Sequence, residues 1–206
     1  MRAMPGILLH GIATGIVIAL LAVTQSHGLT PYNCNYKGGA SGVTADCEPD
    51  EMVFYVCGAG GNTGACVGSG GCAAPGDCAT RIWCCHVEEG SLESDNCQTH
   101  GGSPGQMLSC PEDQFMRGAC SSFFGEMCSG GVSHSINCCD YRYRFGGAPL
   151  IPWDPAEEGS TNGHSVSCPE GRVATGLCAS EDADPDCTGD DFTMLICAEA
   201  FTTPLS

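Results

Sequence analysis

Three segments of this chain run through apolar residues into cysteine: "RIWCC" at 81–85, "SINCC" at 135–139 and "MLICA" at 194–198. Two of them end in a doublet. In the third, Ala198 stands where the second cysteine would be. Adjacent residues of a strand point to opposite faces, so a doublet can tie one strand to two different neighbours. Cys84 shares a face with Ile82, Cys138 with Ile136 and Cys197 with Leu195, and that face is expected to be the core. Cys85 and Cys139 face the other way and need another partner.

These runs close an internal repeat. "CEPDEMVFYVC", "CPEDQFMRGAC" and "CPEGRVATGLC" are each Cys, nine residues, Cys: Cys47 to Cys57, Cys110 to Cys120 and Cys168 to Cys178. A glycine-rich approach precedes each, and a variable loop, another cysteine and the apolar run follow. Cys128 lies ten residues before Cys138, and Cys187 ten before Cys197; the longer first repeat carries Cys66, Cys72 and Cys78 instead. One more cysteine stands 13 residues upstream in two repeats, Cys34 before Cys47 and Cys97 before Cys110, whereas the third has Pro155 there. The upstream cysteine and the second doublet cysteine are present together twice and absent together once. The economical pairing is Cys34–Cys85 and Cys97–Cys139. The four cysteines common to every repeat allow three connectivities. We favour outer with outer and inner with inner: Cys47–Cys84, Cys110–Cys138 with Cys120–Cys128, and Cys168–Cys197 with Cys178–Cys187. Pairing among Cys57, Cys66, Cys72 and Cys78 stays open, and nine bridges would use all 18 cysteines.

The compartment follows from the same residues. Residues 1–28 read as an export signal: Arg2, the apolar run "GILLHGIATGIVIALLAV", then small residues at Ser26 and Gly28 before the expected cut. All 18 cysteines lie beyond it, the mark of an oxidised, secreted, disulfide-framed chain. Structural zinc would need a ligand pattern that four later histidines and no CxxC pair do not offer. The mature segment keeps all 24 Asp and Glu but only six of the seven basic residues. That charge argues against nucleic acid and anionic membranes as partners, and no membrane insertion is expected after cleavage. There is no N-x-S/T sequence.

Short segments bounded by Gly, Pro, Asn and Asp predict an all-β chain. The expected boundaries are 29–90, 91–148 and 149–206, each a β module too small for a large core and braced by its bridges. "EEGSLESDN" and "FGGAPLIPWDPAEEGSTNG" read as loops between them, and "DYRYRF" as an edge strand with Tyr141 and Tyr143 on one face and Arg142 and Arg144 on the other.

The order of upstream Cys, Cys-x9-Cys, variable loop, Cys and Cys-Cys resembles the C-terminal Cys/His-rich domain of proprotein convertase subtilisin/kexin type 9. The clearest stretch is "CQTHGGSPGQMLSCPEDQFMRGACSSFFGEMCSGGVSHSINCC". The resemblance implies three disulfide-rich, resistin-like jelly-roll β-sandwich modules in a pseudo-threefold arrangement, with the bridge order given above. This chain departs from that domain in having few histidines, no protease domain, one bridge fewer in the third module, and a glycine one residue earlier in "RGAC" and "TGLC". "CPEGRVATGLC" is also similar to repeats of vitelline membrane outer layer proteins, which makes a threefold β-prism the alternative fold.

No catalytic constellation stands out. The serines of "GHSVS" beside His164 lack a nucleophile-elbow frame, and paired cysteines leave no thiol nucleophile. Asp182, Asp184 and Asp186 open like a calcium loop, but Cys187 and Thr193 fall where such a loop needs Gly and Glu; they are weak calcium candidates, and no other cofactor is expected. Leu150, Ile151 and Trp153 gather apolar surface where the third upstream cysteine would lie. Packing there in place of the lost bridge is the favoured expectation, and a partner anchor the functional one, since Trp is over-represented at hot spots. The functional expectation is a secreted, non-enzymatic module for an extracellular protein partner. The alternatives are a structural component of an extracellular coat or matrix, and a β-prism binder of carbohydrate or membrane surfaces.

The pairing is open to direct measurement. Thiol titration in denaturant is expected to find no free thiol, and peptide mapping to link Cys97 to Cys139. Replacing Cys97 and Cys139 together by Ala should cost a few kcal/mol, roughly the worth of one bridge, with the fold kept. Replacing Cys110 and Cys138 should cost more.

Overall fold

The computed structural model describes residues 29–57, 80–87, 92–122, 127–145, 147–160, 165–179, 187 and 193–202. Their regular structure is all β, and every ladder is antiparallel. The first repeat contributes β1 (Pro31–Gly39), β2 (Ala45–Asp46), β3 (Glu51–Cys57) and β4 (Thr80–Val87). The second contributes β5 (Leu92–Gly102), β6 (Leu108–Ser109), β7 (Phe115–Ser121) and β8 (His134–Tyr143). The third contributes β9 (Pro149–Ser160), β10 (Ser165–Ser167), β11 (Arg172–Ala179) and β12 (Thr193–Thr202).

They form two sheets. One has the order β1-β4-β3-β10, and the other β2-β7-β8-β9-β12-β11-β6 with β5 also on β8. In each repeat the terminal strand, the one carrying the cysteine doublet or its remnant, lies between the first strand and the strand of the Cys-x9-Cys segment. The short strand does not stay at home. β2 pairs with β7 of the second repeat, β6 with β11 of the third, and β10 with β3 of the first. Among the described residues, both expected module boundaries are crossed in this way. Intrarepeat and interrepeat antiparallel ladders offer the same hydrogen bonds, and two or three residues carry no periodicity that would tell them apart.

Two glycines permit the exchange. A Cβ on Gly118 would run into Asp46 and lie 2.8 Å from the Ala45 carbonyl, and one on Gly176 would lie 2.5 Å from the Leu108 carbonyl. These are the glycines of "RGAC" and "TGLC", set where an incoming short strand crosses. At the matching place in the first repeat Tyr55 pairs with Ser167 of β10.

The core is shared in the same manner. One buried cluster joins Val53, Ile82, Met116, Ile136, Leu177 and Leu195, and a second joins Met52, Val87, Phe115, Tyr141, Val173 and Ala200. Each therefore draws on all three repeats. The second cluster also holds Leu29, Leu92 and Leu150, which stand five residues before Cys34, Cys97 and Pro155. Tyr141 is buried and its hydroxyl donates to the Glu51 carbonyl at 2.8 Å, fastening the second repeat to the first.

Seven disulfides lie among the described residues: Cys34–Cys85, Cys47–Cys84, Cys97–Cys139, Cys110–Cys138, Cys120–Cys128, Cys168–Cys197 and Cys178–Cys187. The doublet is split between the two clusters. Cys84 and Cys138 belong to the first, and Cys85 and Cys139 to the second. Cys57 is also disulfide-bonded. Cys66, Cys72 and Cys78 lie outside the described residues.

Two expectations are corrected here. The stretches read as connectors are largely strand, β5 and β9. Proline donates no ladder hydrogen bond, yet β9, with Pro149, Pro152 and Pro155, pairs with β12 from Thr202↔Leu150 to Thr193↔Ser160 by bending at a bulge beside Asp154 and Pro155. β8 is not an edge strand either. It has β5 on one side, and β7 and then β9 on the other.

Gly118→Ala is expected to destabilise the protein by about 1–3 kcal/mol through overpacking against the exchanged strand, read as a lower melting temperature with β2 the first region to lose hydrogen-exchange protection.

Candidate functional site

The three first strands share one irregularity. Asn33, Asn96 and Asp154 have φ of 47, 49 and 49°, the left-handed region that Asn and Asp tolerate best among residues with a side chain. Each directly precedes Cys34, Cys97 or Pro155. The ladder register shifts there in all three cases. In the first two repeats a disulfide then crosses from the bulge to the terminal strand, with Cα atoms 4.1 Å apart in both bridges.

In the third repeat Arg172 takes that part. One Nη donates to the Asp154 carbonyl at 2.9 Å and to the Cys197 carbonyl at 3.3 Å. The other donates to the Asp154 carboxylate at 2.8 Å and lies 3.7 Å from Glu199. A planar guanidinium with five donors can hold a carbonyl and a carboxylate at once. It thus ties β9 to β12 across the gap left by Pro155 and Ala198. Sequence reasoning gave this task to Trp153 and missed Arg172. The signal was present: Arg172 occupies the position of Glu51 and Gln114, four residues into the Cys-x9-Cys segment, in the one repeat that lacks the bridge.

Ahead of the bulge, β9 pairs with β12 in unbroken register from Leu150 to Trp153, and strand alternation decides where its apolar residues go. Leu150 is buried, opposite Tyr141 and Thr202, so it cannot be a partner anchor. Ile151 is half-buried. Trp153 is 61 % exposed, which overturns the expectation that it packs in place of the lost bridge. Its ring leans on Phe201 with centroids 6.2 Å apart. Beside it runs a groove of about 670 Å³, lined mainly by apolar surface of Ile151, Pro152, Trp153, Pro111 and Ile196, with Glu112 and Asp154 among its polar groups. Because Pro111 leads away from exchanged strand β6, the groove exists only where the second and third repeats meet. Trp153 has no counterpart of its size elsewhere: Tyr32 and Asp95 hold the matching positions.

A second aromatic cluster lies on the first sheet. Tyr36 stacks on Trp83 at 5.8 Å and meets Tyr55 edge-on at 6.0 Å, and the Arg81 guanidinium sits 3.8 Å over the Tyr36 ring. Those rings are occupied by one another and by a cation, whereas Trp153 presents its surface to solvent.

Two of the three described histidines are committed elsewhere. His134 is buried, its Nε2–H donating to the Gln106 carbonyl at 2.8 Å, and burial lowers its pKa below the usual 6.5. His86 lies 3.5 Å from Asp50 and 3.8 Å from Glu51. Among the described residues, the group that gathers three metal-ligating side chains is Cys47, Glu51 and Cys84, but its two sulfurs are bonded to each other. His164, Asp182, Asp184 and Asp186 lie outside the described residues.

Comparison of the chain with protein-family models, with curated proteins and with solved structures returns no match.

Arg172→Ala should destabilise the protein by about 1–3 kcal/mol, the range for removing one side of hydrogen bonds to charged and buried groups, with exchange protection lost first along Trp153–Ala156. Arg172→Lys is expected to recover only part, since an ammonium cannot span both acceptors.

Proposed function

We propose that this protein is a secreted, non-enzymatic interaction module that seats an extracellular protein partner in the groove beside Trp153. One observation carries the reading. The largest apolar side chain of the third repeat is turned outward at the lip of a mostly apolar groove. A single exposed hydrophobe is ordinary. A tryptophan set on a strand fixed by Arg172, beside a groove built by a neighbouring strand, has the make-up of an interface hot spot. Secretion is supported by the dense bridging, which belongs to an oxidising compartment. It is supported too by Leu29, the residue after the expected cut, which is the first of three equivalent buried leucines.

The strand pairing also bears on the finer fold. Three four-strand ladders of like order, β1-β4-β3-β10, β5-β8-β7-β2 and β9-β12-β11-β6, each complete themselves with a strand from another repeat. That exchange favours a threefold β-prism over three resistin-like jelly-roll modules. It weakens any carry-over from the convertase domain, and it keeps the binding of a carbohydrate surface as the second reading.

The test uses the mature chain and the fluids into which it is secreted. Immobilised protein is expected to retain one stoichiometric partner, and Trp153→Ala to weaken that complex about tenfold or more, the worth of a hot-spot residue. The same substitution should leave stability within about 0.5 kcal/mol, as exposed positions usually do. Unimpaired binding by the variant would remove the groove from the reading. Insolubility until reduction would point to a coat component, and glycan-array binding to the carbohydrate reading.

A further inference from the structure

Given the interaction module proposed above, on which this rests, we infer that the segment seated beside Trp153 is cationic. It is a short run of Arg or Lys among apolar residues, with its charged heads on the carboxylates around the groove and its apolar parts on the floor. The groove carries both features. Ile151, Pro152, Trp153 and Ile196 supply apolar lining, and Glu112 and Asp154 stand among them. Among the described residues, no Lys, Arg or His lines it.

The acidic rim extends beyond the lining. Residues directly opposite in an antiparallel ladder share a face. Glu157 pairs with Ile196, and Glu199 with Trp153, so both carboxylates stand on the groove's side of the sheet. The chain's own cations do not neutralise them all. Arg172 is held by Asp154 at 2.8 Å and lies 3.7 Å from Glu199. Arg142 lines an adjoining depression with Ile151, but Glu93 at 2.7 Å and Asp95 at 3.0 Å already engage it. Among the described residues, no Lys, Arg or His forms an ion pair with Glu112 or Glu157.

Trp153 points to the same chemistry independently. A tryptophan face attracts an ammonium or guanidinium held within about 6 Å of the ring. The molecule makes one such contact for itself, where the Arg81 guanidinium sits 3.8 Å over Tyr36. The Trp153 ring leans on Phe201 and is largely exposed. Arg and Lys suit this surface, since their stems cover apolar area while their heads stay with water and carboxylates. A wholly apolar segment would bury Glu112 and Asp154 against no counter-charge, which is costly.

Charge selects against the other occupants. Beyond the expected signal the chain has 24 acidic and six basic residues, so a second copy or an anionic membrane meets charge of its own sign. A neutral sugar leaves the rim carboxylates without a counter-charge. A basic protein is steered toward this face before contact, which raises its association rate and suppresses wrong partners.

The experiment measures fluorescence anisotropy of dye-labelled, end-capped heptapeptides of alternating arginine and leucine titrated with the mature chain, beside matched peptides with glutamine or glutamate for arginine. The arginine peptide is expected to bind about tenfold or more tighter than the glutamate peptide, and to lose about fivefold or more in affinity between about 50 and 500 mM NaCl. Trp153→Ala should weaken it about tenfold or more, and Glu112→Gln and Glu157→Gln about two- to fivefold each. If a variant fails to fold, the peptide series and its salt dependence on the unaltered chain decide. Three peptides bound alike, no arginine-peptide binding at about 1 mM, or binding undiminished by Trp153→Ala would each overturn the cationic occupant. A partner retained from secreted fluid that depends on Trp153 but not on salt or Glu112 would overturn it too and leave the interaction reading standing. A retained partner indifferent to Trp153 would overturn that reading itself.

Discussion

Fastening the terminal strand of each repeat on both of its faces is the constraint from which the rest follows. β4, β8 and β12 run through the middle of their ladders, and their inward cysteines, Cys84, Cys138 and Cys197, are bonded to Cys47, Cys110 and Cys168. A small chain with a shared, thin core gains roughly 2–4 kcal/mol from each such bond by narrowing the unfolded ensemble. Once that inner bond is made, the residue next in line faces another layer and requires its own tie. Cys85 and Cys139 meet that requirement covalently.

The third repeat shows that the requirement is mechanical and not specific to sulfur. With Pro155 and Ala198 in the two positions, Arg172 joins the same two strands through the Asp154 carbonyl and carboxylate and the Cys197 carbonyl. The left-handed bulge is kept in all three repeats, so the backbone shape comes first and the chemistry of the tie second. Such a tie can be a disulfide or a guanidinium. The side chains at these three places, with Arg172 in one, Lys37 and His86 in another and the amides of Asn96 and Gln114 on Asp140 in the last, give each face of the molecule its own chemistry.

The first strand of the third repeat sets the functional surface. Its alternation sends Leu150 to the core and Trp153 to solvent, and it places Trp153 against the segment following the strand lent by the second repeat. The groove is therefore a product of strand exchange. Its two walls come from Ile151–Asp154 and from Ser109–Glu112, which are about 40 residues apart in the chain and meet only because β6 leaves its own repeat.

What the sequence by itself determined was the covalent plan. The Cys-x9-Cys spacing, the doublet and the joint absence of its partner at Pro155 and Ala198 mark out the bridges Cys34–Cys85 and Cys97–Cys139, and the period-two alternation of Ile82 with Cys84 and of Ile136 with Cys138 marks the core face. These are local or repeated signals, and chain geometry fixes them. The tertiary structure alone decided which repeat receives each short strand, because β2, β6 and β10 are too brief to carry a preference and any antiparallel edge offers them the same bonds. It alone turned Trp153 outward as well: Leu150 and Trp153 stand on opposite faces of one unbroken stretch of strand, and only the packing of Leu150 with Tyr141 in the shared core decides which of those faces is buried.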